Sequence, residues 1–149
     1  MDVIDKDLGF NRIMRNLEAL DGTEIDAGIF ANAGSDSRGT PYVDIALYNE
    51  FGTYRIPARP AVRIASDENQ RNWGDIIEAE VGTLIGGGGG KAQMCKRVGK
   101  QMVKDIQSIF GDTSKLAPNA PSTIKRKGRN EPLIDTGTLR SKVNYRVED

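Results

Sequence analysis

The chain of 149 residues contains no histidine and a single cysteine, Cys95. Without histidine the usual zinc ligand sets cannot be assembled, and the commonest general base at neutral pH is missing. A lone cysteine forms no internal disulfide bond, so Cys95 is most simply a small apolar residue of the core. We therefore expect no catalytic residue, no cofactor and no metal site, and a reducing compartment.

Long apolar stretches are also missing. No window of the sequence approaches the ~20 apolar residues that are needed to span a bilayer, and the acidic N-terminus MDVIDKD has no apolar run behind it. The sequence thus predicts no signal peptide and no membrane contact. Its length fits a single domain over residues 1–149, with a radius of gyration of about 15 Å. We expect a soluble protein.

The charges balance overall, with 21 basic and 21 acidic side chains, but they are unevenly distributed. Residues 1–90 contain 8 basic and 15 acidic side chains, whereas residues 91–129 contain 10 basic and 2 acidic ones. One explanation is a head-to-tail contact between copies, because the two regions are electrostatically complementary. The other is that a basic helix packs across an acidic sheet within one monomer. The sequence alone leaves both open.

Hydrophobic periodicity predicts an α+β fold. Helical spacing of apolar residues predicts an amphipathic helix over residues 8–20, and alternation predicts a strand over residues 24–32. A second strand is expected at the C-terminal end, where Val143, Tyr145 and Val147 alternate with polar residues. Pairing of the two strands would form a small antiparallel sheet with helices on one face.

The segment over residues 41–51 fits either a helix or a strand. Val43, Ile45 and Leu47 alternate as in a strand, but the preceding Thr-Pro pair is typical of a helix start and Gly52 of a helix stop. We therefore expect a helix that ends at Gly52.

Two long amphipathic helices are expected over residues 61–85, at least from Glu68 onward, and over residues 92–110. Five consecutive glycines at 86–90 separate them, and each glycine costs about 1 kcal/mol in a helix interior. A phosphate-binding loop is disfavoured, because Ala92 stands where that motif needs a hydroxyl group. The two helices should form an antiparallel hairpin over a flexible glycine joint.

The residues after Gly52 read TYRIPARPAVR. The two prolines predict an extended course, and Arg55, Arg59 and Arg63 recur at every fourth position. None of these side chains moves a proton at neutral pH. We interpret this stretch as a stiff, exposed, basic arm that serves for attachment.

Residues 113–131 contain several prolines and the basic run KRKGR. They are expected to form an exposed loop with at most one helical turn, near residues 122–127. Such loops bind phosphates without sequence preference, but no aromatic side chain is interleaved to stack on bases. A solvated or protein-facing patch is favoured.

Three carboxylates could in principle gather around magnesium, as in a nuclease: Asp44, Glu50 and Asp135. The simpler interpretation is that they cap helices and pair with the arginines of the arm. We expect no enzyme activity.

Two blocks of sequence carry a resemblance to a known family. NEFGT and IPARPAVR form the first block, and APSTIKRKG and PLIDTGTLR, followed by a strand, form the second. In this order, and over roughly residues 24–147, they resemble the small tail-component and neck proteins of tailed bacteriophages, also called tail-completion, head–tail joining or virion-morphogenesis proteins. The residues that match are Glu50, Phe51, Gly52, Thr53, Pro57, Arg59, Pro60, Arg63, Pro121, Thr123, Lys125, Lys127, Leu133, Asp135, Thr136, Gly137, Leu139 and Arg140.

The resemblance implies a structural protein of the virion, made in the host bacterial cytoplasm. Such proteins form rings, commonly of six copies, between the head connector and the tail tube. The implied partners are further copies of the chain and other neck, connector and tail-tube proteins, with DNA only as cargo in the channel. The alternatives are a tail terminator or minor tail protein and, more remotely, a DNA-binding accessory protein or a metal-dependent nuclease of phage origin.

The arm and the basic loop are the surfaces through which we expect one subunit to meet the acidic side of its neighbour or the next ring. The residues expected at this assembly interface are Glu50, Gly52, Thr53, Arg55, Pro57, Arg59, Pro60, Arg63, Lys125, Arg126, Lys127, Arg129, Asp135, Thr136, Gly137 and Arg140.

Overall fold

The structure is a computed structural model that describes residues 9–149. Over these residues it combines a two-stranded antiparallel sheet with helices, the two longest of which pack together, and so confirms the predicted α+β class. The elements in chain order are α1 (Phe10–Glu18), β1 (Glu24–Gly28), a 3-10 turn (Ala31–Ala33), α2 (Tyr42–Phe51), α3 (Ala61–Ile85), α4 (Lys91–Ile109), α5 (Pro121–Lys127), α6 (Thr138–Ser141) and β2 (Asn144–Glu148).

The two predicted strands pair as expected. Ala27 lies opposite Tyr145, and this face of the sheet packs against α4. On the other face, Asp26 lies opposite Arg146 and pairs with it at 3.2 Å. The ring of Tyr145 covers Gly99 of α4, and a Cβ atom at Gly99 would overlap that ring. The glycine therefore lets the sheet approach the helix closely.

The first strand is shorter than predicted. It ends at Gly28, and residues 31–33 form a 3-10 turn. The reason is that its partner begins only at Asn144, and the buried Val143 and α6 before it leave nothing for residues 29–32 to pair with.

The helical hairpin of α3 and α4 is confirmed. The amide of Gly88 donates to the carbonyl of Thr83 at 2.9 Å and that of Gly87 to the carbonyl of Leu84 at 3.1 Å. With Gly87 at φ +87°, these bonds form a Schellman motif, which ends α3. No helix over residues 9–149 is both long and apolar enough to cross a membrane.

The core lies between the hairpin, the sheet and the segment after α4. Cys95 is buried, with 2 % of its surface exposed, as predicted. The cluster around Cys95 also contains Leu84 and Met94. The larger cluster contains Ala61, Ala65, Ile106, Ile109, Phe110, Leu116 and Val143.

The first helix was predicted over residues 8–20, of which residue 8 lies outside the described residues. Within them, α1 ends at Glu18, two residues early, because the chain enters a turn in which the amide of Leu20 donates to the carbonyl of Leu17 at 3.0 Å. Its apolar side is partly uncovered, and Phe10 is largely exposed.

The predicted basic loop is more ordered than expected. It contains α5, which is longer than the single helical turn that we predicted. Pro121 fits the first helical position, and Gly128, at φ +73°, donates to the carbonyl of Ile124 and ends the helix. The buried Leu116 anchors the segment that precedes α5.

Candidate assembly interface

The first sequence block forms a corner between α2 and α3. The carboxylate of Glu50, in the last turn of α2, accepts the amides of Val62 at 3.1 Å and Arg63 at 2.9 Å. Pro60, which precedes α3, has no side-chain group that could cap the helix. Glu50 supplies the cap from the neighbouring helix, and its negative charge suits the positive end of the α3 dipole. The predicted capping role of a carboxylate is confirmed for Glu50.

The connection between α2 and α3 is a closed loop, so the predicted extended arm is wrong. Gly52 adopts φ +75°, and a Cβ atom there would lie 2.9 Å from the amide nitrogen of Ala58. The amide of Thr53 donates to the carbonyl of Ile56 at 2.8 Å, and the Thr53 hydroxyl accepts the Ile56 amide at 3.0 Å. These bonds turn the chain back despite its two prolines, and α3 begins directly at the buried Ala61.

Arg59 joins the first block to the segment that leads into the second. Its guanidinium donates from Nε to the carbonyl of Ala117 and from Nη2 to that of Pro118, both at 2.8 Å. Burial lowers the pKa of Arg59. The predicted arginine row is thus divided, because Arg59 is bound within the chain, whereas Arg55 and Arg63 are exposed.

The second block is also held by its own basic side chains. Lys127 donates from Nζ to the carbonyls of Glu131, at 3.0 Å, and Ile134. Partial burial lowers the pKa of Lys127. Arg129 pairs with the carboxylate of Glu131 and donates to the carbonyl of Asp135 at 2.8 Å. The basic residues 127 and 129 therefore shape the loop that follows them.

Other predicted residues of the second block are placed differently. Arg140 exchanges hydrogen bonds with the backbone and side chain of Gln107, each at 3.1 Å. Lys125 and Arg126 are exposed, and their side chains make no hydrogen bond or ion pair with any residue between 9 and 149. They alone keep the free surface character that we predicted for the basic run.

A polar cleft of about 530 Å³ brings members of both blocks together. Asp36, on its wall, accepts the amides of Thr40 and Arg38 at 2.9 Å each. The Thr40 amide, with that of Arg38 and the Arg38 charge, lowers the pKa of Asp36. The predicted residues that line the cleft are Arg59, Lys127, Asp135, Thr136 and Gly137.

The three carboxylates suggested for a magnesium site are not brought together. Glu50 and Asp135 line different clefts, and Asp44 lies in the first turn of α2. Over residues 9–149, no group of three or more acidic or cysteine side chains is placed to hold a metal ion.

The basic region partly neutralises acidic residues of the same chain. Arg97 of α4 pairs with Glu80 of α3 at 2.6 Å, and Lys115 pairs with Glu68 at 2.5 Å. The hydrogen bond that Lys115 donates to the Glu68 carboxylate raises the pKa of Lys115. Since α4 also packs on both strands, these contacts favour the explanation of the charge pattern within one monomer. The head-to-tail contact stays a prediction.

The sequence did not predict the apolar groove of about 560 Å³ between β1, α2 and α3. Leu47, Phe51 and Val62 line it, and Phe51 is 75 % exposed. The sequence feature that could have indicated the groove is the apolar pattern over residues 41–51, which fits both a helix and a strand. A helix with such a pattern has apolar residues on more than one face. One such face of α2 is left uncovered.

The two clefts differ in what they offer a partner. In the polar cleft, the charged groups of Asp36, Arg59 and Lys127 are bound to backbone atoms of the chain, whereas the apolar groove is open. Comparisons of the chain with models of known protein families, with curated proteins and with solved structures give no match.

Proposed function

We propose that the protein is a structural component of a tailed bacteriophage, a neck or tail-completion protein that forms a ring at the head–tail junction and joins the connector to the tail. The observation that carries the proposal is the uncovered apolar surface at the α2–α3 corner, formed by Leu47, Phe51 and Val62. A cluster of exposed apolar side chains is typical of a surface that is buried against a partner.

The residues that carry the family resemblance support the same proposal. Glu50 caps α3, Gly52 permits the loop, and Arg59 fixes the corner to the segment before α5. They hold the corner in one shape, and the apolar surface lies on that corner. A preformed surface loses little conformational entropy when subunits assemble.

The partners that we propose are further copies of the chain in a closed ring, commonly of six, and the connector and tail-tube proteins above and below it. DNA would pass through the channel as cargo. The protein would be made in the host cytoplasm and would end in the virion. Identical subunits form a closed ring when one surface of each copy contacts a different surface of the next.

The test is deletion of the gene in a phage that encodes this chain. We expect full heads and separate tails, and restoration of joined particles when the chain is supplied from a plasmid. Imaging of particles that carry a labelled copy should place the label at the head–tail junction. Joined, infectious particles without the protein would contradict the proposal, and magnesium-dependent cleavage of plasmid DNA by the purified protein would favour the nuclease alternative.

A further inference from the structure

The loop between α2 and α3 ends in an exposed aromatic tip. Tyr54 is 89 % exposed, and the guanidinium of Arg55 lies 4.8 Å from the centre of its ring. The tip, residues 53–58, contains one positive charge and no negative charge. Because Gly52 and the two bonds between Thr53 and Ile56 close the loop, the tip is held in place before any partner binds.

The apolar groove beside α2 has the opposite charge. Its lining contains three carboxylates, Asp26, Glu50 and Asp67, and one guanidinium, that of Arg63. Asp26 pairs with Arg146, and Glu50 accepts the amides of α3. Asp67 is exposed, and its carboxylate makes no hydrogen bond or ion pair with the described residues. The groove is therefore an apolar surface whose lining has a net negative charge, and among the described residues neither Asp67 nor Arg63 has an ion-pair partner.

We infer that the tip of one copy binds in the apolar groove of the next copy. The ring of Tyr54 would pack against Leu47, Phe51 and Val62, and Arg55 would approach Asp67. This inference rests on the proposed function, since it names the contact that would link neighbouring subunits of the ring. Tyrosine and arginine are among the side chains that most often dominate the energy of such contacts.

The structure favours a second copy over other occupants. The high exposure of Tyr54 shows that the tip does not fill the groove of its own chain. The N-terminal residues 1–8 contain three aspartates and one lysine, so their net charge is unfavourable beside the three carboxylates of the groove. The tip, which is apolar and cationic, complements the groove in both respects.

A contact of this kind is directional. Each copy offers one tip and one separate groove, so in a head-to-tail arrangement every added subunit leaves one tip and one groove free until the ring closes. A twofold dimer would instead make two reciprocal contacts between the same patch of each copy, and would leave no tip or groove free for a third copy. The two arrangements are therefore distinguishable by cross-linking.

The test uses disulfide formation between Tyr54→Cys and Val62→Cys. The native Cys95 does not interfere, because it is buried and burial raises the pKa of its thiol. Under oxidation, neither single variant should form dimers, an equal mixture should form dimers only, and the double variant should form a ladder of oligomers. The double variant is oxidised both as purified protein and in assembled particles.

Tyr48 provides the matched control. It is an exposed tyrosine of α2 that does not line the groove, so a Tyr48→Cys variant combined with Val62→Cys should give no ladder. In sedimentation, Tyr54→Ala should weaken self-association about 30-fold, as for loss of a buried aromatic anchor, while Tyr48→Ala leaves it unchanged. Arg55→Glu should weaken it as well, and adding Asp67→Lys should restore it.

Three results would overturn the inference. The first is efficient dimer formation by Tyr54→Cys alone, which indicates a symmetric contact. The second is the absence of a ladder in both solution and particles. The third is unchanged association of Tyr54→Ala. A ring seen by native mass spectrometry without the ladder would reject this contact and leave the proposed function standing, whereas absence of the protein from particles would reject the function.

Discussion

The carboxylate of Glu50 in α2 accepts the backbone amide of Arg63 in α3 at 2.9 Å, and thereby ties the end of one helix to the start of the next. Replacing Glu50 by Ala removes the acceptor for this amide and for that of Val62. We expect the free energy of unfolding to fall by about 1–2 kcal/mol, measured by urea denaturation. Glu78→Ala, at an exposed position of α3, should change it by less than about 0.5 kcal/mol. Equal losses would show that capping is not the cause.

Gly52 combines a positive φ with a close approach of the Ala58 backbone. A Gly52→Ala variant should therefore lose about 1–3 kcal/mol of stability, read as a lower melting temperature. Gly82→Ala is the control, because Gly82 lies inside α3 with open space around its Cα. For Gly82→Ala we expect stability to increase by about 0.5–1 kcal/mol. A gain at both positions would contradict the constraint at Gly52.

Arg59 donates to two carbonyls with two different nitrogens of one planar group. A lysine cannot reproduce this fork, so Arg59→Lys should lower the free energy of unfolding by about 1–3 kcal/mol. Arg71→Lys, at an exposed position of α3, should be neutral within about 0.5 kcal/mol. If chemical denaturation shows no difference between the two variants, the bonds of Arg59 do not stabilise the corner.

Helix propensity alone predicts that Gly99→Ala stabilises the protein, but the close packing of Tyr145 on Gly99 predicts the opposite. Gly99→Ala should destabilise the protein by about 1–3 kcal/mol, because the added methyl group overlaps the ring. Adding Tyr145→Ala removes the overlap, so the double variant should lose less than the sum of the two single losses. Thermal denaturation of the four proteins tests this. Strict additivity would argue against the contact.

The amides that bind the Asp36 carboxylate predict a pH effect. The Thr40 amide lowers the pKa of Asp36, so the unfolded chain binds a proton at a higher pH than the folded chain. Asp36 therefore stabilises the fold above the ordinary aspartate pKa of about 3.9, and this contribution is lost as the pH falls through the lower, folded pKa. The melting-temperature difference between the native chain and Asp36→Asn should be largest near neutral pH and shrink on acidification. A difference that does not change with pH would contradict this.

Much of the fold was predictable because its signals are local. A helix that stops at Gly52, a hairpin around the glycine run, and a C-terminal strand that pairs with the first strand all follow from periodicity, capping residues and glycine. The burial of Cys95 followed from its chemistry alone. The predicted lengths of β1 and α5 were less accurate, because a strand ends where its partner strand ends and a helix ends at its capping residue.

The sequence by itself determined the class of the fold, the order of its main elements and the residues that stop its helices. Only the tertiary structure decided which polar groups the charged side chains of the two motif blocks bind. In the folded chain, Arg59 and Lys127 donate to backbone carbonyl groups, and Glu50 caps the helix that follows it. The groove beside α2 stays open. The reason is that backbone periodicity depends on neighbours along the chain, whereas a long side chain bonds to whichever polar group the folded chain brings within its reach.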